Sequence, residues 1–345
     1  MRVTTLLASA ALLALASGTA AAEPLKVVAT FSILGDMVSR VGGDRVEVTT
    51  LVGPNGDAHV YQPTPADARS LLGADLVVVN GLGFEGFLDR LLTAAEYKGP
   101  VVTAAAAVTP IAGGEEEEEH GHGEAAHADG HGHGEAHAEA GHAHGEAHAE
   151  AEHDHEEAQA DGHDDHHGGL DPHAWQSIAN AKLYVEAVTD GLCGVDASGC
   201  DGFRANAATY TAELDALEKD VKARIAAIPS EKRRVITSHD AFGYFAAAYG
   251  VRFLAPQGVS TESEASASDV ARLVRQVRET GVKVLFVENV SDPRLLDQIA
   301  RESGARIGGA LYSDALSPAG EPGATYIDMM RHNADALVSA MEQNS

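Results

Sequence analysis

Asp75-Leu76-Val77-Val78-Val79-Asn80 sets four consecutive apolar residues between two polar ones, with no polar residue in alternation. A strand with one wet face alternates. An unbroken β-branched run of this length belongs to a strand buried on both faces, as in a parallel sheet covered by helices. Working outward, Lys26-Val27-Val28-Ala29-Thr30-Phe31 has the same character, and Val46 to Val52 reads as another strand. Helical segments separate them at Ile33 to Val41, Pro65 to Leu72 and Phe87 to Ala95, and Pro100 to Thr103 is a short strand. Strands and helices in alternation predict an α/β fold.

The pattern returns later in the chain. Trp175 to Leu192 reads as a helix and Asp201 to Ile228 as a longer one, ended by Pro229. In the longer helix Phe203, Tyr210, Leu214, Leu217, Val221 and Ile225 share one apolar face. At 1.5 Å per residue it spans about 40 Å, enough to join two domains. Beyond it come strands at Arg234 to Ser238, Val251 to Leu254, Val282 to Val287 and Arg306 to Tyr312. Helices at Ala241 to Tyr249, Ser268 to Thr280, Pro293 to Ser303 and Ala324 to Met341 alternate with them. The expected plan is two α/β lobes, each with a mostly parallel sheet flanked by helices: residues 23–200 and 229–345, joined by a linker helix at 201–228.

The first lobe is interrupted at 113–169. Fourteen of the eighteen histidines lie there: His120, His122, His127, His131, His133, His137, His142, His144, His148, His153, His155, His163, His166 and His167. Eighteen acids and no bases accompany them between Glu115 and Asp165; without those acids the formal charge of −28 falls to −10. Such a segment lacks the apolar residues for a core and is expected to be disordered without metal. Imidazoles beside carboxylates attract divalent metal, so the tract is expected to be an auxiliary metal-capture or sensing loop, against the alternative of an inert solvated linker. With no base in this segment to meet phosphates, the concentrated acidity argues against nucleic acid as a partner.

Residues 1–22 read as a secretory signal peptide. A basic start is followed by an apolar stretch from Leu6 to Ala16, too short to span a bilayer, and by Ala20-Ala21-Ala22 before Glu23. No cysteine follows the cleavage site, so the mature protein is expected free in a bacterial periplasm, without a lipid anchor. In that oxidising compartment Cys193 and Cys200 are expected to form a local disulfide, with a zinc site as the competing reading.

Three histidines outside the tract occupy related places. His59 follows the second strand, His239 follows Arg234 to Ser238, and His173 lies in Leu170-Asp171-Pro172-His173-Ala174-Trp175 ahead of a helix. Glu288 and Asp314 also stand just past strands. In open α/β sheets ligands bind outside the carboxyl ends of strands, and three imidazoles with one carboxylate make a closed four-coordinate set suited to Zn(II). His332, on the last helix, reads as a surface residue.

These segments resemble the zinc/manganese-binding solute-binding proteins of bacterial ABC importers, the ZnuA/TroA-like group. The resemblance rests on Asp57-Ala58-His59 with Tyr61-Gln62-Pro63-Thr64-Pro65, on Asp171-Pro172-His173-Ala174-Trp175, on Thr237-Ser238-His239-Asp240-Ala241-Phe242, and on Leu311-Tyr312-Ser313-Asp314. It implies that His59 and His173 from one lobe, with His239 and Asp314 from the other, hold a metal in the cleft. Asp57 and Glu288 are weaker alternatives for the fourth ligand. Some zinc members carry Glu just before the first histidine, where this chain has Ala58. Manganese members tend to place Glu where His239 stands, so three nitrogens and one oxygen favour Zn(II).

The resemblance implies a periplasmic receptor that carries Zn(II) as transported ligand to an ABC membrane permease, as a monomer, with a periplasmic metallochaperone as a further candidate partner. A periplasmic metal buffer or chaperone and a Mn(II) receptor are the alternatives. A zinc hydrolase is disfavoured, because it needs an open coordination position and the chain has no H-E-x-x-H signature.

Overall fold

The computed structural model describes residues 23–113 and 169–344. The signal segment and the fourteen tract histidines lie outside the described residues. The chain opens with β1 (Leu25–Phe31), α1 (Ser32–Gly42), β2 (Val46–Val52), α2 (Pro65–Leu72), β3 (Leu76–Val79), α3 (Leu88–Ala94) and β4 (Val101–Thr103). After the insertion come α4 (Ile178–Val195) and α5 (Cys200–Ala226). A second set follows: β5 (Arg234–Ile236), α6 (Gly243–Tyr249), β6 (Arg252–Leu254), α7 (Ala267–Thr280), β7 (Val284–Glu288), α8 (Arg294–Ser303), β8 (Arg306–Leu311) and α9 (Tyr326–Met341).

Each set forms a four-stranded sheet, ordered β2-β1-β3-β4 and β6-β5-β7-β8, and every strand pair is parallel. Each sheet thus changes winding direction once, between β1 and β3 and between β5 and β7. Every residue of β3 is buried, as its uninterrupted apolar sequence requires. One apolar core runs from Val27 and Val77 through Trp175 and Leu214 to Phe242, Phe286 and Tyr326, so the two sheets share an interior. A smaller core under α7 and α8 gathers Ile236, Leu273, Val277, Leu285 and Ile299.

Helix α5 buries Phe203, Tyr210, Leu214, Leu217, Val221 and Ile225 along one side, and it packs on α1, α4 and α9. Its buried face also takes in Glu218, which ion-pairs with Lys182 and Lys222 at 2.9 and 2.6 Å. Cys193 and Cys200 are disulfide-bonded across the α4–α5 turn, with Cα atoms 4.6 Å apart.

Two local readings of the sequence need correction. Trp175 does not belong to α4: it sits in a separate 3-10 turn, Ala174–Gln176, and Ser177 is extended before the helix begins. Tertiary bonds decide this, because the side chains of Trp175 and Gln176 both donate to the Ser313 carbonyl, at 2.8 and 2.7 Å. His332 is half-buried rather than free on the surface. Its Nε2 lies 3.0 Å from the Ala310 carbonyl, and its ring packs on Tyr312.

Candidate metal centre

His59 rides on an irregular loop between β2 and α2 that is tied down at both ends. On the far side Pro65 opens α2, and Thr64 caps it: its hydroxyl accepts from the Ala66 N–H, while Asp67 Oδ2 accepts from the Thr64 N–H at 2.6 Å. Tyr61 donates to the same Asp67 oxygen at 2.9 Å. The Tyr61-Gln62-Pro63-Thr64-Pro65 motif therefore serves as a helix cap that fixes the exit of the ligand loop. Just before the histidine, Asp57 Oδ1 accepts the His59 backbone N–H at 2.9 Å.

His173 follows the neck of the insertion. Ala112 and Leu170 form an antiparallel bridge, the Gly113 N–H donates to the Gly169 carbonyl at 2.7 Å, and the Asp171 N–H donates to Ile111 at 3.0 Å. Asp171 Oδ1 accepts the His173 backbone N–H and lies as close to its Nδ1, both at 2.8 Å. A Cβ at Gly243 would stand 2.3 Å from Asp171 Oδ2, so any side chain there would have to displace this carboxylate.

From the second sheet, His239 leaves β5 and Glu288 ends β7, on the two sides of the switch between strand directions. Glu288 Oε1 accepts the N–H groups of Ser238 and His239 at 2.7 and 2.9 Å, and Oε2 stands 2.5 Å from His239 Nδ1. Asp314 follows β8. The segment before it is pinned by Asn333, which hydrogen-bonds both the N–H and the carbonyl of Tyr312, and by Trp175 and Gln176 on the Ser313 carbonyl. Trp175 belongs to an aromatic wall behind the site: Phe31, Phe84 and Trp175 meet with centroids 4.8–4.9 Å apart, and His59 and His173 pack on this wall.

Four donor groups converge here. His59 Nε2 lies 3.3 Å from His173 Nε2, and Asp314 oxygens stand 3.5, 3.5 and 3.1 Å from Nε2 of His59, His173 and His239. One donor atom from each of the four residues falls within 4.8 Å of all the others. The side chains of His173, His239 and Asp314 are fully buried, and that of His59 is 6 % exposed. Among the described residues, no hydrogen-bond donor other than these imidazoles reaches either oxygen of Asp314. A buried carboxylate without donors is costly unless a cation compensates it.

Electrostatics point the same way. Burial works against a charged His239, but Glu288 and then Asp314 outweigh it and hold the imidazolium pKa well above its ordinary value. Burial likewise opposes ionisation of Asp314, yet His239 and His173 keep its pKa well below the usual carboxylate range. The pocket is thus built to contain positive charge. A dication about 2.05 Å from each of four ligands has ligand–ligand edges near 3.3 Å; the His59–His173 Nε2 pair at 3.3 Å and Asp314 Oδ2 at 3.5 and 3.1 Å from His59 and His239 Nε2 lie close to that, within a group whose donor atoms are all inside 4.8 Å of one another.

The structure brings His59, His173, His239 and Asp314 together, and leaves Asp57 and Glu288 outside that group. Both oxygens of Asp57 are engaged, one by the His59 N–H and the other by the Thr261 hydroxyl at 2.6 Å. Glu288 faces Nδ1 of His239, away from the converging Nε2. It orients a ligand rather than joining the set. Asp171 does the same for His173, a role not read from the sequence. The signal was present: Asp57-Ala58-His59 and Asp171-Pro172-His173 both place an acid two residues before a histidine, and in both the acid accepts that histidine's N–H.

Two α/β halves with buried imidazoles and a carboxylate at their junction define a metal-binding solute receptor. The family described as zinc-uptake complex component A, periplasmic (ZnuA) matches residues 27–340. The chain is 30% identical to the manganese-binding lipoprotein MntA of Halalkalibacterium halodurans over 93% of this chain and 90% of that protein. It is 27% identical to the iron-binding protein YfeA of Yersinia pestis over 93% of this chain and 88% of that one. The periplasmic zinc binding protein TroA of Treponema pallidum superposes with a TM-score of 0.73 at 27% identity, covering 93% of this chain and 99% of that structure. The chain belongs to the ZnuA/TroA family of metal-binding solute-binding proteins of ABC importers, which are not enzymes.

Proposed function

We propose that this protein is a high-affinity Zn(II) receptor that captures the ion between its lobes, through His59, His173, His239 and Asp314, and hands it to an ABC permease for import. The observation that carries the reading is the convergence of three imidazoles and one carboxylate, with donor atoms within 4.8 Å of one another, in a buried site. Imidazole nitrogen suits Zn(II), whereas Mn(II) prefers an oxygen-rich, octahedral shell. The lobes are 23–200 and 229–345, with 201–228 as the linker helix. The tract at 113–169 serves as auxiliary capture, feeding the cleft by raising the local metal concentration. Relatives such as MntA are named lipoproteins; here both cysteines are bonded to each other, which supports a receptor free in the periplasm.

A Mn(II) receptor is the second reading, favoured by relatives named as manganese-binding, such as MntA. Competition titration of the full-length protein with Zn(II) and Mn(II), with His173→Ala alongside, separates the two. The zinc reading expects Zn(II) to displace Mn(II) from one tight site that His173→Ala abolishes. Preferential Mn(II) retention sinks the choice of metal, and an intact tight site in His173→Ala sinks the ligand assignment.

A further inference from the structure

Three of the four converging side chains are fully buried on pinned segments, and the fourth, His59, is the one that solvent touches. Its loop has no regular structure between β2 and α2. What holds that loop shut comes from the other half of the chain. The Asn55 N–H donates to the Leu316 carbonyl at 2.9 Å, Asn289 Nδ2 donates to Asn55 Oδ1 at 3.0 Å, and Thr261 Oγ1 donates to Asp57 Oδ2 at 2.6 Å.

The last contact differs in kind from the first two. It is a hydrogen bond to a carboxylate, the stronger class, and Asp57 spends its other oxygen on the His59 N–H. One side chain therefore connects the Thr261 hydroxyl to the backbone of a metal ligand. Thr261 itself is half-buried in the irregular stretch between β6 and α7, which also supplies Val259 against Gly113 at the neck of the insertion.

We propose that Thr261 is a positioning residue which, through Asp57, holds the His59 loop closed and sets how long the captured ion stays. This rests on the ligand assignment proposed above. A cargo enclosed by three fixed donors leaves only after the fourth moves away, and that step requires Asp57 to part from Thr261. A clasp broken on the way out but remade after entry acts on dissociation and leaves association nearly untouched, the common pattern for affinity differences within one site.

The test uses full-length protein carrying one equivalent of Zn(II), mixed rapidly with excess chelator. The phase that His59→Ala abolishes is the one belonging to the cleft. In that phase Thr261→Val, which keeps the shape and removes the hydroxyl, is expected to release zinc roughly tenfold faster, with the association rate and the melting temperature of the metal-free protein unchanged. Thr261→Ser, which restores the hydroxyl, is expected to return release to within about twofold of wild type. A wild-type release rate in Thr261→Val, an equal fall in association, or no rescue by serine overturns the inference while leaving the site intact. Unaltered release in His59→Ala instead overturns the ligand assignment and the inference with it.

Discussion

A single oxygen of Asp171 meets both the backbone N–H and the ring Nδ1 of His173, each at 2.8 Å. The carboxylate fixes the loop and the imidazole together. With Nδ1 protonated and donating, Nε2 presents its lone pair to the centre. Asp171→Asn keeps a carbonyl acceptor for one N–H but weakens the other, and the expected cost is about 10- to 100-fold in metal affinity. Chelator competition measures it. Wild-type affinity would show that the ring needs no such partner.

Proton competition should be strongest at His239. Its pKa is raised in the metal-free protein, despite burial, by Glu288 and Asp314. The sign follows: this interaction stabilises the metal-free fold fully below the unfolded value near 6.5, and the stabilisation is lost as pH rises through the higher folded value. Metal affinity runs the opposite way, because the incoming ion must displace that proton. Calorimetry at neutral pH in buffers of different ionisation enthalpy should register about one proton released per ion bound, and less in Glu288→Gln. Zero release in the wild type contradicts the prediction.

Acid sensitivity of the fold should trace in part to Asp196. The Ser198 hydroxyl and then Arg45 act on its carboxylate, together with the Gly199 N–H, and its pKa falls to about 2. An unfolded aspartate titrates near 3.9, so the stabilisation is complete above about pH 4 and disappears as pH drops through the folded value. Urea midpoints of metal-free Asp196→Asn should therefore change less than those of wild type across that window. Parallel curves would assign acid unfolding elsewhere.

The neck of the insertion is closed by its own backbone pairing, Ala112 with Leu170 and Gly113 with Gly169. Removing residues 115–167 should therefore leave the cleft site with its single tight ion, lower the total zinc bound, and slow loading when zinc is scarce. Elemental analysis after dialysis reads the first two. Loss of the tight ion on deletion would mean that the tract is part of the high-affinity site.

Much of this was legible in the chain because its signals are local. Unbroken Val-rich runs such as Leu76–Val79, bounded by polar residues, read as strands covered on both sides, and His59, His239 and Asp314 lie beyond the ends of β2, β5 and β8. Legibility failed where distant groups decide. Trp175 leaves the helical pattern because its indole reaches Ser313, 138 positions away. Glu288 reads as a ligand candidate from its place at the end of β7, yet only the fold shows that it faces the other nitrogen of His239. Thr261 has no motif at all; its relation to Asp57 spans 204 positions.

Both sheets run their strands in the same order, and every donor hangs on a turn beyond a strand tip or ahead of a helix. The pleated scaffolding is consequently blind to the chemistry it carries. Exchanging one imidazole for a carboxyl at such a tip would change the hardness of the donor set at a position outside the paired strands β1 to β8. Relatives named for manganese, iron and zinc can then share a single chassis, with elemental preference written in a handful of interchangeable tips.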